Sequence, residues 1–155
     1  MAGMSDLKDR LRTDLTAAIK ARDEVRSSTL RMVLIAITTA EVAGKESREL
    51  SDDDVIGVLS AEGKKRREAA DAFEHAGRTD SAAKERSEAA VIADYLPAQL
   101  EADEITRLVT AAIESTGAAA DGVRGLGKVM GALQPQIKGR VDGGVVAAEV
   151  KRQLG

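Results

Sequence analysis

The stretch DEVRSSTLRMVLIAITTAEVA, residues 23–43, decides the fold class. At its centre Met32, Val33, Leu34, Ile35, Ala36 and Ile37 form an unbroken apolar run that, by periodicity alone, suits a buried strand as well as a helix. Length settles the choice. Strands span about 4–8 residues, and this segment continues well beyond that without a Gly or Pro, so it reads as a helix buried on most sides, from about Asp23 to Ala43 with Gly44 as its stop.

Outward from it the helical signals recur. Ser5 caps a first helix carrying Leu7, Leu11, Leu15, Ala18 and Ile19 on one stripe and ending near Arg22. After a polar loop, Ser51 opens a helix with Asp52, Asp53 and Asp54 at its positive dipole end and Leu50 placed to staple against Val55. These three acids lack calcium-loop spacing and read as capping residues, not as a metal site. That helix runs through Ile56, Leu59 and Phe73 to Gly77; a weakly amphipathic one follows from about Asp80 to Tyr95, closed by Pro97.

Beyond the Tyr95–Leu100 joint, Ile105, Leu108, Val109, Ala112 and Ile113 mark a helix ended by Gly117. Two short helices complete the chain, at about 125–134 and, capped by Asp142, at about 142–153. The expected fold is all-α: an N-terminal domain of about four helices over residues 1–96 and a C-terminal three-helix bundle over residues 97–155.

Composition narrows the chemistry. The 155 residues contain no cysteine, which excludes disulfides, thiolate metal sites and a Cys nucleophile. With His75 as the one histidine, a multi-histidine metal site has no ligands and a Ser-His-Asp triad one possible centre. Its place near a helix C-terminus makes His75 a favourable end charge. No cofactor is expected.

The opening MAGMSDLK lacks the apolar core of a secretory signal, and no run approaches the roughly 20 apolar residues of a membrane span. A cytoplasmic protein without membrane contact is expected. Met4 is an alternative start, with Met1 to Gly3 either a native extension or residues added before it.

A net charge of −3 argues against a general nucleic-acid coat, and no DNA partner is expected. Residues 1–96 hold 16 Lys and Arg against 19 Asp and Glu, and residues 97–155 hold 7 against 7. Any RNA contact is therefore local. The place for it is GVRGLGKVMGALQPQIKGRVDGG, residues 122–144, with 7 of the 14 glycines and with Arg124, Lys128, Lys138 and Arg140 unaccompanied by an acid before Asp142.

Residues 122–129 fit a P-loop up to the last position, where Val129 replaces the Mg²⁺-binding Ser or Thr. A preceding strand is missing as well, so nucleotide hydrolysis is not expected. Two readings of the stretch stay open. Gly127 and Gly131, four apart, suit close helix packing, with Gly139 and Gly143 as turn residues. Alternatively, Gly125 and Gly127 offer amides at a helix N-terminus beside Lys128, with Lys138 and Arg140 across a turn at Pro135 to meet a second phosphate.

The run Lys64-Lys65-Arg66-Arg67 covers one helical turn beside Glu62 and Glu68. It reads first as a solvated, ion-paired face and second as an RNA or partner surface. One Tyr and one Phe make no platform for stacking unpaired bases, so bound RNA would be read by backbone and shape.

Several short motifs occur together: Leu30-Arg31-Met32, Leu50-Ser51-Asp52, Lys65-Arg66-Arg67, Ala76-Gly77-Arg78, Tyr95-Leu96-Pro97 with Gln99-Leu100, Gly127-Lys128-Val129-Met130-Gly131, and Lys138-Gly139-Arg140 before Asp142-Gly143. In this combination the chain resembles YqeY-like proteins, which share the tail domain of the B subunit of tRNA-dependent amidotransferases. It departs from the pattern at Glu101, where a capping Ser is usual, and at Val141, where Ala is commoner.

The resemblance implies two helical domains, the second of the kind that helps hold the body of a tRNA. It also implies, by association, the label of a carbon–nitrogen ligase using glutamine as amide donor. That chemistry belongs to a large kinase-like domain absent from these residues, so the chain by itself is not expected to be an enzyme. The expected function is a non-catalytic accessory that binds tRNA, or a tRNA-handling protein complex, through the C-terminal domain. The alternative is a helical protein-interaction module.

Overall fold

The computed structural model describes residues 5–155, within which it has seven α-helices, one 3-10 helix and no strand. Met1 to Gly3 and the start at Met4 lie outside the described residues. Backbone contacts divide the chain between Leu96 and Pro97 into two compact units.

The first unit contains α1 (Asp6–Lys20), α2 (Glu24–Glu41), α3 (Asp52–His75) and α4 (Thr79–Ala93). Local chemistry sets three of the four starts. Ser5 Oγ accepts the Lys8 N–H at 3.0 Å and the Asp23 carboxylate accepts the Arg26 N–H at 3.1 Å. Ser51 and Asp54 cap α3 reciprocally, each accepting the other's backbone N–H at 3.2 Å. Asp52 serves a different helix: it accepts from Ser5 Oγ and from the Leu7 N–H, so an acid of the α3 cap also ties down the α1 start.

The apolar stripes meet in one core of Leu11, Leu30, Val33, Ile37, Leu50, Val55, Leu59 and Ile92. Within it Leu50 and Val55 are both buried, as a staple at the α3 N-terminus requires. At the far end of α3, Gly77 turns left-handed (φ 76°) while the Gly77 and Arg78 amides bond the Glu74 and Phe73 carbonyls, a Schellman stop.

Two details of α2 differ from expectation. It ends at Glu41, three residues before Gly44, because the following loop folds back on it: the Arg48 N–H takes the Glu41 carbonyl and the Leu50 N–H takes the Glu41 carboxylate. Nor is it buried on most sides. Leu30, Val33 and Ile37 face the core, whereas Ile35 is 66% exposed and Val42 58% exposed.

The second unit contains α5 (Ala102–Thr116), a 3-10 helix (Ala118–Gly125), α6 (Leu126–Ile137) and α7 (Gly143–Leu154). Ile105, Val109, Ile113, Val129, Leu133, Ile137, Val146 and Val150 make its core. At the α5 start, where Glu101 stands for the usual Ser, the Glu104 carboxylate accepts the Glu101 N–H at 3.1 Å. Asp142 caps α7 by accepting the Gly144 N–H at 2.9 Å.

The Ala118-Ala119-Ala120 segment is the first turn of the 3-10 helix, which is bent at Gly122 (φ 59°, ψ −144°). Helix α6 also runs through Pro135 to Ile137, so the expected turn at Pro135 is absent. An interior Pro costs about 3 kcal/mol, while burying an Ile contributes about 1.5–3 kcal/mol. Ile137 is 3% exposed, so its burial offsets most of that cost. The chain turns instead at Gly139 (φ 75°), two residues past the helix end.

Candidate nucleic-acid interface

The glycines of the 122–144 stretch divide into two kinds. Gly125 is buried: a β-carbon there would meet the Ala118 β-carbon at 2.9 Å and the Ala118 carbonyl oxygen at 3.1 Å, so it is a packing residue and not an exposed phosphate donor. Gly127 and Gly131 are the reverse. Both are exposed, and β-carbons on them would meet nothing within 4 Å. The expected helix packing through these two therefore does not occur; α6 buries the opposite face through Val129, Leu133 and Ile137.

Gly127, Gly131 and Pro135 follow at intervals of four along the exposed side of α6 and expose its backbone. Pro135 has no N–H to return to the Gly131 carbonyl four residues earlier. Lys128 lies beside this row and Lys138, the C-cap, at its end; Arg124 precedes the helix in the 3-10 segment. All three side chains are exposed.

Their partners differ. Lys128 Nζ lies 3.7 Å from Asp121, both side chains about half exposed, which makes a surface pair worth about 0–1 kcal/mol and easily exchanged for a phosphate. Asp121 stands just before the stretch that reads as acid-free. Arg140 is committed elsewhere: Nε donates to the Ala98 carbonyl at 2.9 Å and Nη1 to the Gln136 carbonyl at 3.2 Å, while the Arg140 carbonyl accepts the Leu100 N–H at 2.9 Å. It clamps the segment before α5 to the end of α6.

The other basic run is not one surface. Arg66 turns inward, its side chain 19% exposed, to carboxylate oxygens of Glu62 at 3.2 Å, Glu88 at 3.7 Å and Glu85 at 3.9 Å, with the Met32 sulfur at 2.8 Å. Lys65 pairs with Glu62 at 3.1 Å and Lys64 with Glu68 at 3.9 Å. Glu85 and Glu88 reach Arg66 from α4 across the hairpin, a meeting that spacing within α3 does not reveal.

His75 is exposed in the last turn of α3. Among the described residues no three acidic or histidine side chains are grouped to hold a metal ion. No helix among them is long and apolar enough to cross a membrane. The clearest titration effect in the second unit is structural: the Arg152 guanidinium, then Gln153, hold the Glu149 carboxyl at about 2, with Thr106 adding a smaller contribution.

The chain matches the family described as Yqey-like protein over residues 8–154. It belongs to the YqeY-like family. A relative is the uncharacterized protein C22F3.15 of Schizosaccharomyces pombe, 34% identical over 97 residues, which cover 62% of this chain and 76% of the relative. In this YqeY-like chain the matched span takes in both helical units and the whole glycine-rich stretch.

Proposed function

We propose that this YqeY-like protein is a non-catalytic RNA-binding accessory that grips the backbone of a folded tRNA, or of a complex carrying one, with the exposed face of α6. The observation that supports this reading most is the pair Gly127 and Gly131. They are helical, exposed and free of any packing neighbour. Each costs a helix interior about 1 kcal/mol relative to alanine, and no left-handed turn or close contact inside the unit requires either one.

A helix side bare of β-carbons lets a ribose–phosphate strand come close, and Arg124, Lys128 and Lys138 supply counter-charge around it. The Gly131 carbonyl, without the helical donor a non-proline residue 135 would give, is an acceptor for a ribose 2′-hydroxyl, the group that separates RNA from DNA. With Arg140 assigned to the clamp, the phosphate set is Arg124, Lys128 and Lys138.

Equilibrium binding of several folded tRNAs at low salt tests this. Similar affinities are expected, lost in an Arg124→Ala, Lys128→Ala, Lys138→Ala triple variant whose helical circular dichroism is unchanged. No binding at low micromolar protein would overturn the reading. The rival, a protein-interaction module, draws on Ile35 in α2 and Val42 just past its end, 66% and 58% exposed. It predicts a co-purifying protein that resists ribonuclease and is lost in Ile35→Ser.

A further inference from the structure

An exposed seam runs along α2. Ser28, Arg31, Ile35, Thr38 and Val42 recur at intervals of three and four and are all exposed, the spacing of helices that pair side by side. Val42, the C-cap, keeps to the row because its N–H still bonds the Thr38 carbonyl at 3.2 Å. From Met32 to Gly44 no exposed residue is charged, in a chain that is 32% charged. Charge depletion of this kind marks the centre of a contact surface, not a solvated face.

The one charge in the seam points to what covers it. Arg31 has no ion-pair or hydrogen-bond partner among the described residues. The negative end of the α2 dipole, in turn, lacks a cation: its last turn holds no basic residue, and Lys8, which reaches it from α1, is neutralised by Glu41 at 2.8 Å. A two-fold axis midway between Ile35 and Thr38, relating two antiparallel copies of α2, satisfies both. At 1.5 Å per residue, Arg31 and Val42 each lie about 8 Å from that axis on opposite sides, so each Arg31 meets the partner's Val42. The arginine stem covers the valine and its guanidinium faces the carbonyl end of the helix. Parallel pairing would instead set Arg31 on Arg31 and bring the two negative ends together.

We propose that this seam binds a second copy of the chain as an antiparallel α2–α2 pair. The surface maps onto itself with a complement for its one charge, so it asks for nothing that the chain lacks. Its five residues a side fall well short of the roughly 20–30 of a standard interface. The dimer is accordingly weak, with a dissociation constant on the order of 100 μM. It leaves the RNA reading, which rests on α6, untouched.

Sedimentation equilibrium of the full chain, from about 5 to about 500 μM, tests the proposal across that constant. A reversible monomer–dimer equilibrium is expected, weakened at least about tenfold by Ile35→Ser and about tenfold by Arg31→Glu, which sets an acid at the partner's helix C-terminus. Both positions are exposed, so the variants should keep the wild-type helical circular dichroism. The chain has no cysteine, so Thr38→Cys and Val42→Cys each supply one thiol for a short bismaleimide. In the antiparallel pair residue 38 lies about 5 Å along the axis from its own copy and residue 42 about 16 Å, so the first should cross-link and the second should not. A chain monomeric throughout, a dimer indifferent to Ile35→Ser, or equal cross-linking through both thiols would overturn it.

Discussion

Gly125 seats its backbone on Ala118, with room for no β-carbon: one placed there would lie 2.9 Å from that of Ala118. Gly125→Ala should therefore destabilise the second unit by about 1–3 kcal/mol, as overpacking does. Gly131→Ala, six residues on, has open space and should stabilise it by up to about 1 kcal/mol. Hydrogen exchange at the buried Val129 and Leu133 amides would show the opposite signs directly.

Both glycines look alike in the sequence, and this marks the limit of what could be read there. Helix periodicity and caps depend on neighbours within four residues, so Ser5, Asp23, Ser51 and Asp142 were legible as helix starts. Whether a glycine packs or faces water depends on which side of α6 meets the core, and Val129, Leu133 and Ile137 turn Gly127 and Gly131 outward. Arg140 was misleading for a similar reason: its acceptors include Ala98, 42 residues away. The continuation of α6 past Pro135 rests on the burial of Ile137, a tertiary effect that overrides local propensity.

Arg66 gathers Glu62, Glu85 and Glu88 around one guanidinium. Arg66→Ala strands these carboxylates and should cost about 3–5 kcal/mol, as removal of one partner from a buried charge cluster does. Lys64→Ala, in the same run but exposed, should stay within about 0.5 kcal/mol. Urea unfolding of the two variants measures the contrast; equal effects would mean that the run acts as one surface.

Glu41 meets Lys8 Nζ at 2.8 Å with both side chains 11% exposed. The Lys8 hydrogen bond, with smaller help from the Leu50 amide, outweighs burial and holds the Glu41 carboxyl below its ordinary 4.5. A depressed folded value means that this stability is fully present above about 4.5 and is lost as pH falls through the folded value. Urea midpoints of the wild type should drop over that acid range, and Glu41→Gln should be less stable at neutral pH with a smaller acid loss.

Tyr95 is the one tyrosine, donating to Asp14 and lying under the Arg10 guanidinium at 4.6 Å. Burial first, then the Asp14 carboxylate, raise the phenol above 10.0, opposed in part by Arg26. The folded state thus keeps its proton longer than the unfolded state, so this contribution to stability holds below pH 10.0 and is lost as pH rises through the folded value. Tyrosinate absorbance should appear later in alkaline titration of the native chain than in concentrated urea, and Asp14→Asn should narrow the gap.

The central claim concerns the bare face of α6 and its three free or exchangeable cations. Its most direct test is the affinity of the full chain for a folded tRNA from about 50 to about 200 mM salt, with Gly131→Leu beside the wild type. About three phosphate contacts predict a loss on the order of fiftyfold over that range. The leucine, whose β-carbon meets nothing within the fold, should abolish binding while hydrogen exchange in α6 stays native. Wild-type affinity in Gly131→Leu, or binding indifferent to salt, would contradict the account.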